Sequence, residues 1–488
     1  MRLTYIIMAC ALAAITNCAS VHAAPALSPA NKTIDKATIS KQVKFAYNQR
    51  DLPKAIENAN IWVQAFPNDY EALTIRGAIK MALGNLKSAI IDLNAAININ
   101  SQYSPAYQYR SLLAKDLGLK TLCERDAQKA LRYEKLDADD PLQLILRVVA
   151  LDNAGQRAEQ ATLYNRALQI CSANYTTSNA ILKTTIHRYQ GQNQLALTEI
   201  NDLTAQHPNL PLFHLTRAKI LHAIDKNTEA LSEIDWYLTR APHDAIAWVW
   251  RGDIAWDLNN KAEALKSYDR AIKLQPNFET AYVARGLARE RLHDDKGAAK
   301  DYTAAINLEP RNAYAWHRRA HIRTNLHQYG AALGDYDLAV AIAPNDEHYI
   351  SCRGFFNRTQ KNYSNAISDF TKAININPKN AILYCARGSS YLSNDQYQNA
   401  IANCSRSLTL NPRRVHPYFT RGAAYSRLKQ YEKALSDLDE AIRLYPYYGA
   451  AFGERAVVNK ALGNLEEAEE DAIKAKLDAN TIKSGDMM

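Results

Sequence analysis

The chain has 488 residues, with 59 Lys and Arg against 50 Asp and Glu and a formal charge of +9 at pH 7. Hydrophobic residues make up 47% and only 17 residues are glycine, a balance that suits an ordered helical chain and neither disorder nor an all-β fold. Acids are interspersed among the bases and no block of five like charges occurs, which excludes a basic nucleic-acid-binding tail.

The N-terminus reads as a secretory signal over residues 1–24. Met1 and Arg2 give a positive start, Leu3 to Ile15 is almost wholly apolar, and small residues at Ala23 and Ala24 offer the cleavage site. Cys18, after Ile15-Thr16-Asn17, and Cys10, after Ile7-Met8-Ala9, resemble lipoprotein cleavage boxes. Lipidation at one of them is therefore the alternative address, with ordinary export the default. The apolar run is too short for a mature transmembrane helix, and no later segment reads as a span. Residues 25–35 form a short Pro-containing linker. Five cysteines follow, Cys123, Cys171, Cys352, Cys385 and Cys404, without a CxxC; they read as small buried apolar residues.

Pro208, Pro242, Pro276, Pro310, Pro344, Pro378, Pro412 and Pro446 recur at one unbroken spacing. A fixed period of about 34 residues marks stacked two-helix units, each closed by a proline that lacks an amide donor and disfavours a helical predecessor. Aligning on the prolines gives repeats starting near 36, 70, 104, 138, 177, 211, 245, 279, 313, 347, 381, 415 and 449. Between 138 and 176 the register slips and that repeat is longer than the others, which a longer inter-helix loop explains. The last helix is acidic from Glu466 to Asp471, as a solenoid end needs for solubility. Residues 481–488 remain as a tail.

Within a repeat, an aromatic stands at position 4, Gly or Ala at 8, Ala at 20, an aromatic at 24, Ala at 27 and Pro at 32. Trp248, Gly252, Ala264, Tyr268, Ala271 and Pro276 fill these places, as do Trp316, Ala320, Ala332, Tyr336, Ala339 and Pro344. This pattern resembles the tetratricopeptide repeat and covers nearly all of residues 36–480. The resemblance implies an all-α, right-handed superhelical solenoid of about thirteen two-helix repeats.

Position 7 is Arg in eight consecutive repeats, from Arg217 through Arg251, Arg285, Arg319, Arg353, Arg387 and Arg421 to Arg455. Position 23 is acidic in most of the same repeats, as at Glu233, Asp301, Asp335, Asp369, Asp437 and Asp471, with Ser267 and Asn403 in the other two. Each Arg is expected to pair with its own acid across the helix pair, so the ladder is architecture and not a track for an acidic polymer.

In the resembled family the first helices line the concave face, chiefly through positions 2, 5, 9 and 12. From 313 to 448 those places hold a histidine and aromatic strip: Tyr314, His317, His321, His348, Phe355, Arg358, His416 and Phe419. Rigid rings give contact area at low entropy cost, so the strip is taken as the peptide-binding surface. Val249, Val283 and Leu287 make the same places blander upstream, with Asp253, Trp256 and Glu290 as exceptions. His317 and His321 have the i, i+4 spacing of metal ligands and His348 could join them, but the residue after His317 is Arg318, so the HExxH pattern fails.

GxSxG, P-loop and strand-linked GxGxxG motifs are absent from the sequence. The expectation is a non-catalytic protein- or peptide-binding scaffold, periplasmic or secreted, with no cofactor, no metal site assigned, no nucleic-acid partner and no membrane span. Its resemblance to exported repeat proteins implies a part in assembling an envelope or secretion complex. The alternatives are a metal-dependent enzyme using His317, His321 and His348, and a lipid-anchored envelope assembly factor. Nothing in the pattern specifies an oligomeric state.

Overall fold

A short polar step and a Pro-containing turn alternate along the chain, and helices form between them. The computed structural model describes residues 35–48, 52–83, 85–116, 120–133, 160–173 and 177–481. The signal, nearly all of the linker, most of the repeat near 138 and nearly all of the tail lie outside the described residues. The described residues form 25 helices and no strand, so the fold is all-α and built from repeated helix pairs. First helices begin at Lys36, Tyr70, Ser104, Thr177, Pro211, Ala245, Glu279, Ala313, Glu347, Ala381, Val415 and Gly449. The chain divides into two compact bodies, Met1–Ala315 and Trp316–Met488. No described helix is long and apolar enough to cross a membrane.

Within each body, the two helices of a repeat meet through small residues facing large ones. Ala264, Ala271, Ala298, Ala305, Ala332, Ala339, Ala366, Ala373, Ala434 and Ala441 are fully buried. The Tyr268 ring lies where a side chain on Gly252 would stand, and a Cβ on Gly354 would come within 2.9 Å of Phe370 Cε1. Where position 24 is Cys404 the fit persists, since a Cβ on Gly388 would be 2.7 Å from its Sγ. Position 8 must stay small because position 24 fills the same space. Of the five cysteines among the described residues, four are buried and Cys352 is half-buried.

The prolines occupy one kind of turn. The Phe278 amide donates to the Gln275 carbonyl at 3.0 Å across Pro276, and the Asp346 amide to Ala343 at 3.1 Å across Pro344. Proline thus stands second in a four-residue turn, where its fixed φ is preset. Asp244, Asn312, Asp346 and Asn380 then cap the next helix, as where Asp244 accepts from Ile246 N and Ala247 N.

The step between the two helices of a repeat has a second periodic series that the sequence reading did not draw out. Asp225, Asn259, His293, His327, Lys361, Asp395 and Lys429, each one repeat on from the last, have φ between 57° and 62°. Gly191 and Gly463 continue the series with φ of 77° and 88°. After each, an amide reaches five residues back to close the helix, as Asn362 N does to Asn357 O at 2.8 Å and Gln430 N to Tyr425 O at 2.9 Å.

The arginine ladder pairs as expected and reaches further. Arg285 donates to both Asp301 oxygens, from Nε at 3.0 Å and Nη2 at 2.6 Å, while Nη1 reaches Asp269 of the preceding repeat at 2.6 Å. Arg353 does the same with Asp369 and, at 2.8 Å, Asp337; Arg455 with Asp471 and, at 2.6 Å, Asp439. Each such guanidinium holds its own repeat and ties it to the one before.

A left-handed backbone costs a non-glycine residue about 1–2 kcal/mol. Lys361→Gly and Lys429→Gly are each expected to stabilise the flanking helices by about 1 kcal/mol, and Gly463→Ala to weaken its pair by a similar amount. Amide hydrogen exchange across these helix pairs measures the effect locally; slower exchange in Gly463→Ala would contradict it.

Candidate functional site

The obligatory packing uses positions 4, 7, 8, 20, 23, 24 and 27, which leaves one face of each first helix free to vary. In the body Met1–Ala315 that face forms a cavity of about 440 Å³ along the first helices Pro211–Ala223, Ala245–Asp257 and Glu279–Arg291. Val249, Val283 and Leu287 line it with apolar surface, and Trp250 and Trp256 supply two indoles. These include the places expected to line the concave face, at repeats whose apolar residues had looked bland.

Charge surrounds this apolar surface in an ordered way. Lys219 Nζ stands 5.5 Å from the Trp250 ring centre and the Arg291 guanidinium 5.7 Å from that of Trp256, placing cations over ring faces. The His222 ring meets the Trp250 ring edge-on at 5.9 Å, its Nδ1 is 2.9 Å from Asn227 Oδ1 and its Nε2 3.7 Å from Asp257 Oδ2. The Tyr268 hydroxyl donates to Asp253 Oδ1 at 2.9 Å; burial first, then the Asp253 charge, push this phenol well above its ordinary value. The arrangement suits a large apolar side chain on a segment that also carries charge.

Two of these lining residues, Trp250 and Asp257, escaped the sequence reading for a definite reason. They stand at positions 6 and 13, four residues after positions 2 and 9, and i, i+4 neighbours share a helical face. Extending the expected face by one turn would have found them.

Tyr314, half-buried, belongs to the body Met1–Ala315; the other seven residues of the histidine and aromatic strip belong to Trp316–Met488. The structure brings them together in pairs. His317 is buried, with its ring centre 5.0 Å from His348, 5.5 Å from Tyr349 and 5.9 Å from Tyr336. His321 is exposed, one turn further on. His348 is exposed, and its ring nitrogens lie 3.9 and 4.0 Å from Cys352 Sγ. Burial pushes the Cys352 thiol up to about 11. The residue that joins His317 and His348 is thus Cys352, expected from the sequence as a small buried apolar residue.

Phe355 is half-buried with its ring edge-on to Phe370 at 5.0 Å, and the Arg358 guanidinium lies 5.7 Å over it. Phe419 packs on Tyr448 at 5.2 Å and stands 6.1 Å from the exposed His416. Protein crowded around the His416 imidazole, and then the charges of Arg358 and Arg414, hold it below the ordinary histidine value.

Indole emission from Trp250 and Trp256 offers a readout of the cavity. A small aromatic probe is expected to alter that emission in the parent chain. Leu287→Asp is expected to raise the concentration needed at least about tenfold, because a probe seated there would desolvate a lone carboxylate. An unchanged titration in folded Leu287→Asp would place the probe elsewhere.

Tetratricopeptide repeat family models match residues 70–103, 215–277, 353–380, 370–402 and 388–452. No curated protein matches the chain. Among solved structures, yeast Tom70 is 16% identical, covering 91% of this chain and 96% of its own, with a TM-score of 0.39. A tetratricopeptide repeat protein from Parabacteroides merdae is 18% identical, covering 51% and 98%, with a TM-score of 0.38. The APC/C hetero-tetramer Cut9–Hcn1 gives 13%, 88%, 96% and 0.38. The family models coincide with the helix pairs, the arginine pairs and the proline turns described above, and the matched stretches belong to the tetratricopeptide repeat family.

Proposed function

We propose that this chain is a non-catalytic scaffold that binds a protein or peptide segment along its first helices, and that it works outside the cytoplasm in assembling an envelope or secretion complex. The tetratricopeptide fold supports the protein-binding part. The observation that carries the reading is the 440 Å³ cavity, with its apolar residues and its two indoles attended by Lys219 and Arg291. One large apolar side chain anchors there, and the carboxylates of Asp253 and Asp257 select a basic residue beside it. In the body Trp316–Met488, the exposed His321 and His416 and the half-buried Phe355, Arg358 and Phe419 provide a second contact stretch.

A peptide library presented to the purified chain tests the anchor. Enriched peptides should carry an aromatic or large aliphatic residue next to a basic one, and Val283→Asp with Leu287→Asp should weaken them by about 10- to 100-fold, the loss of one hot-spot anchor. The combined variant His321→Ala, Phe355→Ala, Arg358→Ala and Phe419→Ala should weaken them less. If the first variant stays folded and binds as before, the anchor assignment is wrong.

Export is carried by the apolar stretch Leu3 to Ile15 followed by Ala23 and Ala24. The N-terminal mass of the mature protein is expected to correspond to cleavage after Ala23 or Ala24. An acylated N-terminal cysteine at Cys18 or Cys10 would establish the lipid-anchored alternative, and a retained Met1 would exclude this export route.

A further inference from the structure

We propose that His317, His348 and Cys352 form a three-ligand site for a single thiophilic divalent metal ion of the Zn²⁺ class, with a fourth position open to water or to a group carried by a partner. Two neighbouring first helices build it. His348 and Cys352 are i, i+4 on the helix Glu347–Thr359, so one face presents a nitrogen and a sulfur 3.9–4.0 Å apart. His317 comes from the helix Ala313–Asn325, and its ring meets that of His348 at 70° with centres 5.0 Å apart. One donor atom from each of the three lies within 4.8 Å of the others.

Tetrahedral zinc holds nitrogen at about 2.0–2.1 Å and sulfur at about 2.3 Å, which puts neighbouring donors about 3.4–3.6 Å apart. The His348–Cys352 pair already stands close to that spacing. The remaining closure is at most about 1.4 Å, within reach of side-chain rotation by the exposed His348. Imidazole with thiolate is a donor set for zinc and other borderline-soft ions, not for calcium or magnesium. On binding, the Cys352 thiol releases its proton to solvent as the metal–sulfur bond forms, and both histidines bind as neutral imidazoles. Burial of His317 and the rings of Tyr336 and Tyr349 shield one side, while the exposed His348 leaves an entry path.

This site differs from a histidine-only strip in one decisive respect: it uses Cys352 and not His321. Cobalt(II) titration of the purified chain distinguishes them, because cobalt bound to thiolate shows a sulfur-to-metal charge-transfer band that imidazole alone does not give. One equivalent of cobalt should produce the band, and zinc should displace it. Cys352→Ser should abolish the band, His348→Ala should weaken cobalt binding more than tenfold, and His321→Ala should leave it unchanged. His348 is exposed, so its variant keeps the test alive should His317→Ala fail to fold. No band with the folded chain, or a band that survives in Cys352→Ser, overturns the proposal.

Discussion

A guanidinium at position 7 that grips a carboxylate sixteen residues ahead, and in several repeats an acceptor sixteen residues behind, sets the spacing of everything else in each body. The forward bond fixes the two helices of a repeat against each other. The backward bond fixes that repeat against the one before. Asp301, Asp335, Asp369 and Asp471 are almost wholly buried, so each carboxylate has exchanged water for two parallel guanidinium bonds. The net gain from such a pair is modest, but removing one partner leaves a buried charge uncompensated, at a cost of about 3–5 kcal/mol. Stacking is thereby specified more than it is strengthened.

Because the staples and the small-to-large contacts use one side of each helix pair, the other side of the first helix is less constrained by packing. A cavity arises there wherever adjacent first helices place small or apolar residues at facing positions. Val249, Val283 and Leu287 do so, and the larger Trp250 and Trp256 stand among the lining residues. A solenoid makes a groove along its whole inner face, and depth at one place comes from local side-chain volume, not from a change of backbone.

The period made the architecture legible: helix pairs, proline turns and forward Arg–acid pairs all follow from residues recurring at one fixed spacing. The candidate site was legible only as a set of register positions. Chemical distinctiveness pointed to 313–448, yet several of those conspicuous side chains are partly spent on packing: His317 is buried among rings, Phe355 sits on Phe370 and Phe419 on Tyr448. The apolar residues upstream look ordinary one at a time, and their significance depends on neighbours a whole repeat away. Cys352 hid for the same reason, since its partner His317 lies on another helix. The left-handed residues were present as a polar series, Asn259 to Lys429, but no side-chain type marks that conformation uniquely.

Two repeats show what the staple tolerates. Where position 23 is Ser267, Arg251 bonds its hydroxyl at 2.8 Å and meets carboxylates on both sides, Asp235 behind at 2.6 Å and Glu263 ahead at 3.5 Å. The charge is still met, with the closer carboxylate now on the preceding repeat. Arg387 instead bonds Asn403 ahead at 2.8 Å and Thr371 behind at 3.0 Å, so both of these acceptors are neutral. Charge-assisted bonds are roughly twice as strong as neutral ones. The same repeat replaces the position-24 ring with Cys404, which removes aromatic surface from the contact beneath Gly388. Weaker staple and smaller contact coincide between 381 and 410, next to the helices that carry Phe355, Arg358, His416 and Phe419, while Ser407 Oγ still donates to the Ala381 carbonyl at 2.7 Å and holds the pair together.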